Sequence, residues 1–76
     1  MEVKILGTGC AKCDELTKNV ETAVAQLGIA AEIKKVTDVT EIVRHGVMRT
    51  PTLVVGGRIV SVGRVLTVEE VKGFLK

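Results

Sequence analysis

Residues 50–62 read TPTLVVGGRIVSV: a proline, an apolar run, a Gly-Gly pair and a second β-rich run. Two glycines between β-rich segments favour a two-residue hairpin, because the mirror-image turns that suit strand twist need positive φ. The stretch therefore reads as two antiparallel strands, 52–55 and 58–62, joined at Gly56-Gly57. Pro51 stands at the first residue of the apolar run, where a proline removes no ladder hydrogen bond. Beyond the hairpin, Thr67 and Glu70 form a T-x-x-E capping box that starts a further helix, with Val68, Val71, Phe74 and Leu75 turned inward.

Upstream of the hairpin, EVKIL (2–6) alternates, with Val3 and Ile5 on one face, and reads as a strand. After the turn Gly7-Thr8-Gly9, apolar residues fall at Leu16, Val20, Ala23, Val24 and Leu27. Those spacings of three and four mark the buried stripe of a helix over about residues 11–27, which Gly28 stops. AAEIKKV (30–36) alternates again, with Ala31 and Ile33 inward. A strand–helix–strand unit with such short joints implies a parallel pair. Asp38 and Glu41 make a D-x-x-E variant of the capping box, opening a short helix that Gly46 closes. The order is βαβαββα, an α/β chain expected to form a single domain over residues 1–76, without linker or repeat.

Composition narrows the function. With 46% hydrophobic and 26% charged residues and a net charge of +2, the chain has an apolar core and an ordinary charged surface. A chain this small buries only about 60% of its unfolded surface, so its stability margin is thin. Its basic residues are scattered and its one aromatic, Phe74, offers no stacking platform, so no nucleic-acid partner is expected. No stretch approaches the ~20 apolar residues of a membrane span. The sequence runs straight into a strand without a leader pattern, which gives a cytoplasmic expectation, and a monomer is expected.

The two cysteines, Cys10 and Cys13, lie in GTGCAKC (7–13). A pair closing so short a loop is a poor staple for the fold, and in a reducing compartment it is a chemical feature. Cys10 falls at or just before the first turn of the first helix, and Cys13 three residues on shares its face, so the sulfurs can approach. Unpaired N–H groups and the positive dipole end favour a thiolate there, which makes Cys10 the expected nucleophile and Cys13 its resolving partner. Lys12 adds a positive charge between them, partly opposed by Asp14 and Glu15. The residues alone leave four readings open: a dithiol–disulfide pair, half a zinc site, a soft-metal carrier, or two small buried side chains. Structural zinc takes four Cys or His ligands, and only His45 could join the pair. His45 reads better as a cation at the C-terminus of the second helix, against the negative dipole end.

GTGCAKC after a first strand, with Thr50-Pro51 before a third strand and a Gly-Gly hairpin, resembles the small thioredoxin-like and glutaredoxin-like redox proteins of archaea and bacteria. The resemblance covers essentially the whole chain. It implies a thioredoxin fold, with a four-stranded mixed sheet flanked by three helices, and a protein-disulfide oxidoreductase that needs no metal or other cofactor. It carries Cys10 and Cys13 over as the redox pair, and Pro51, with Thr50 before it, as a cis-proline that faces them and contacts the substrate backbone. The implied partners are disulfide-containing client proteins and a thioredoxin-reductase-like electron donor.

Some positions depart from the pattern. Gly9 replaces the usual tryptophan before Cys10, and Ala11-Lys12 replaces the usual intervening pair. No acidic residue takes an inward position of the first strand. Val62-Gly63 falls where glutaredoxins hold glutathione, but Arg64 and Val65 follow instead of an acid, which favours a protein reductase as electron source. The opening VKILGTGCAKC also resembles heavy-metal-associated domains, which carry copper(I) on soft thiolates. Those continue ββαβ after the first helix and have a methionine before the pair. Here Thr8 and Gly9 stand in that place, and a capped helix follows the last strand, so element order favours the redox fold.

Overall fold

The computed structural model of the protein describes residues 1–9 and 11–76. Its elements are β1 (Glu2–Leu6), α1 (Ala11–Leu27), β2 (Glu32–Val36), α2 (Val39–Arg44), β3 (Thr52–Val55), β4 (Arg58–Val62) and α3 (Val68–Leu75). The four strands lie in the order β2-β1-β3-β4. β1 runs parallel to β2 and antiparallel to β3, and β3 pairs antiparallel with β4. This is the mixed sheet and βαβαββα order of the expected thioredoxin fold.

The hairpin forms as its glycines require. Gly56 and Gly57 have φ of 57° and 81°, a combination that side-chain-bearing residues seldom adopt in succession. Leu53 pairs with Ser61 but Val54 with Ile59, so Val60 is an extra residue in β4 and bulges the strand.

The two faces of the sheet are covered unequally. On one, Val3, Ile5 and Leu53 bury against Leu16, Val20 and Ala23 of α1 and Val71 and Leu75 of α3. Asn19 fastens this layer by donating from Nδ2 to the Leu66 carbonyl at 2.8 Å. On the other face Leu6 and Val54 meet Ile42 of α2 and Val47 after it. With six residues, α2 shields only that end. Further along the same face, Glu2 accepts from Lys4 at 3.5 Å and from Lys34 at 3.2 Å, and Lys34 also reaches Glu32 at 3.4 Å.

Three local expectations need correction. Strand β2 begins at Glu32, with Ala31 packed against the core just before it. Phe74 is not inward but 46% exposed: Val71 and Leu75, four apart, take the buried stripe, and Phe74 stands at its flank beside Ile59 and Val60. The capping box at α2 is half made. Asp38 Oδ1 accepts from the Thr40 N–H at 2.9 Å, while Glu41 turns to Arg44 at 3.1 Å. At α3 the box is complete, with Thr67 Oγ1 accepting from the Glu70 N–H and Glu70 accepting from the Thr67 N–H.

Candidate active site

The site is assembled where β1, the first turn of α1 and the loop before β3 meet. Cys10, the expected nucleophile, lies outside the described residues. Cys13 sits in the first turn of α1 and is buried, and its carbonyl accepts from Thr17 Oγ1 at 2.9 Å. Its sulfur occupies the space that a side chain at position 7 would need. A Cβ placed on Gly7 would overlap Cys13 Sγ, stand 3.1 Å from Cys13 Cβ and lie 3.8 Å from Thr50 Cβ. Gly7 is itself fixed, donating its N–H to the Val36 carbonyl at 2.9 Å. Strand, helix and proline loop therefore converge on one glycine. The sequence reading treated Gly7 only as part of a turn. The available signal was a glycine directly abutting a strand, three residues ahead of the first cysteine.

The loop opposite is equally constrained. The Thr50–Pro51 peptide is cis, Pro51 is buried, and Thr50 is half-buried. The Pro51 carbonyl accepts from the Gly63 N–H at 2.8 Å, and Thr52 Oγ1 donates to the Arg49 carbonyl at 2.7 Å. The structure thus brings both Cys13 and Thr50 close to Gly7 and ties Pro51 to the exit of β4. Lys12 is exposed on α1 with no carboxylate partner among the described residues, and Asp14 pairs with Lys35 at 3.7 Å. His45 caps the end of α2 as expected of its position. Its Nδ1 must donate to the Glu41 carbonyl at 2.8 Å, because a carbonyl can only accept.

Beside Thr50 lies an open groove of about 590 Å³, lined by Thr8, Val39, Val43, Val47 and Met48 among others. Met48 is 98% exposed, and Val39 and Val43 are largely so. Apolar side chains left in water next to a reactive site are a surface for apolar contact. The sequence reading missed this groove, since α2 is too short to show a distinct second stripe.

A buried thiol in the first turn of α1 and a threonine–cis-proline loop that meets the same glycine, on a βαβαββα scaffold, place the chain in the class of small α/β domains with a thioredoxin fold. The chain belongs to the thioredoxin family: residues 1–76 match the family model described as a thioredoxin domain. It is similar to a protein named thioredoxin from Methanothermobacter thermautotrophicus, 43% identical over 75 residues that span 99% of this chain and 97% of the relative. It is also similar to a protein named thioredoxin from Methanocaldococcus jannaschii, 49% identical over 74 residues covering 97% of this chain and 85% of the relative. The protein is accordingly a protein-disulfide oxidoreductase with a thiol–disulfide exchange role. After α1 the order is βαββα, not the ββαβ of heavy-metal-associated domains, and nothing in the comparisons supports the soft-metal carrier. Among the described residues, no helix is long and apolar enough to cross a membrane.

Proposed function

We propose that this single domain reduces disulfides in client proteins through the Cys10–Cys13 pair. The Cys10 thiolate attacks a client sulfur, forming a mixed disulfide and expelling the second client sulfur as a thiolate, which takes up a proton. Cys13 then loses its proton and attacks Cys10 Sγ. The client leaves with both cysteines reduced, and the protein keeps the disulfide, having given up two electrons. A thioredoxin-reductase-like dithiol donor returns them in the cytoplasm, with the protein acting as a monomer.

The observation that supports this assignment is the seat of Cys13, which is buried with its sulfur against Gly7, the glycine that Thr50 also approaches. A buried thiol is poorly placed to meet a bulky client disulfide, yet well placed to attack a neighbouring sulfur already linked to one. Lys12, exposed near the helix start, adds a positive charge that favours the Cys10 thiolate, though solvent screening keeps its effect small. Thr50 and Pro51 supply the client-backbone contact.

Alkylation of the reduced protein near neutral pH with iodoacetamide tests the roles, read by mass spectrometry. Cys10 is labelled first, Cys10→Ser abolishes reduction of a protein disulfide, and Cys13→Ser accumulates the mixed disulfide. Faster labelling of Cys13, or turnover surviving Cys10→Ser, overturns the assignment.

A further inference from the structure

We infer that Arg49 is a specificity-determining residue that favours clients carrying a carboxylate beside the reactive disulfide, an inference that rests on the exchange reading above. Arg49 lies two residues ahead of Pro51, at the start of the loop whose Thr50 approaches Gly7, and the Thr52 hydroxyl holds its carbonyl. Its side chain is seated. A Cβ placed on Gly63 would stand 3.2 Å from Arg49 Cβ and 3.3 Å from Arg49 Cδ, so the aliphatic stem lies along that glycine. Gly63 is in turn the residue whose N–H is bonded to the Pro51 carbonyl. The absence of a side chain at 63 is what lets the arginine stem rest across the exit of β4, at the border of the proline loop.

The charge carried there is uncompensated. Lys4, Lys34, Lys35, Arg44, Arg64 and Lys72 each have a carboxylate partner. Arg49 has none among the described residues, and Arg64, directly after Gly63, is engaged by Glu70 at 3.4 Å. Lys12 contributes the same sign from α1. Of the acids on the first turns of that helix, Asp14 is occupied by Lys35 and Glu15 stands exposed one turn beyond Lys12. A guanidinium accepts a carboxylate in two parallel hydrogen bonds, and a stem already laid against backbone loses less freedom in forming them. An aspartate or glutamate next to a client cysteine would meet Arg49 as the client strand passes Thr50 and Pro51.

The test uses pre-reduced protein and three disulfide-bridged peptides identical except for Glu, Gln or Lys beside one cysteine. Second-order rate constants for reduction are measured in single turnover at low salt. The wild type reduces the Glu peptide about two- to fivefold faster than the Gln peptide, the range expected of one exposed ion pair, and the Lys peptide more slowly still. Arg49→Gln brings the Glu/Gln ratio to about one, and Arg49→Lys retains part of the preference. Arg58→Gln, an equal change in net charge at the far hairpin, leaves the ratio unchanged. Salt near 1 M collapses the wild-type ratio. Equal rates for Glu and Gln peptides in the wild type, or a preference that survives Arg49→Gln, overturn the role of Arg49 and leave disulfide exchange standing. Failure to reduce any of the peptides overturns the exchange reading, and the role of Arg49 with it.

Discussion

A methyl group on Gly7 would stand where the Cys13 sulfur already is, so this one position couples backbone choice to the seat of Cys13. Gly7→Ala is therefore expected to cost about 1–3 kcal/mol, the range for overpacking in a filled interior, read as a lowered urea midpoint. Most of that cost should vanish in a Cys13→Ala background, because only the milder 3.1 Å approach to the Cβ remains. An equal cost in both backgrounds would mean that the sulfur is not what position 7 accommodates. Cysteine spacing and Thr50-Pro51 could be read directly from sequence because both are local patterns. Gly7 and Arg49 could not, since their meaning comes from a sulfur six residues on and a glycine fourteen residues on.

Among the elements, α3 shows what a short helix needs. Its eight residues bury only Val71 and Leu75 fully, so the reciprocal Thr67–Glu70 cap is a large part of what fixes its start. Thr67→Ala should lower stability by about 1 kcal/mol in urea titration, whereas Thr67→Ser should stay within a few tenths. A Thr67→Ala protein as stable as wild type would place the start of α3 under the control of packing alone. The cap was legible because T-x-x-E is a local pattern followed by apolar residues. The exposure of Phe74 was not, because a helix with one buried stripe leaves the residues at its flank to be placed by their neighbours. In the same way Asp38 matched a box that Glu41 left for Arg44.

Across the molecule, stability should depend on acid through two carboxylates of different kinds. Lys34 donates to Glu2 and, with Lys4, holds its carboxyl below the ordinary 4.5. The Thr67 backbone N–H does the same for Glu70. A depressed folded-state pKa means stability that is present above the unfolded value and lost as pH falls through the folded one. Urea midpoints should thus decline as pH drops below about 4.5, and less steeply in Glu2→Gln or Glu70→Gln. Added salt should flatten the Glu2 contribution more, since it depends on exposed lysines, and the Glu70 contribution less. An acid limb untouched by both substitutions would assign acid sensitivity elsewhere. The Glu2 partner raises the Lys34 pKa above 10.5, so the same pair loses its contribution again as alkali deprotonates the lysine.

The extra residue at Val60 has a consequence for a thiol–disulfide oxidoreductase, which meets other disulfide-bearing chains. β2 and β4 are the free margins of the sheet, where an extended segment from another molecule could add itself as a fifth strand. β2 discourages such recruitment with Glu32, Lys34 and Lys35. β4 carries the apolar Ile59 and Val62, but its register is broken at Val60, so no regular ladder can be continued along it. Neither margin of the sheet therefore offers an extended chain a regular ladder to join.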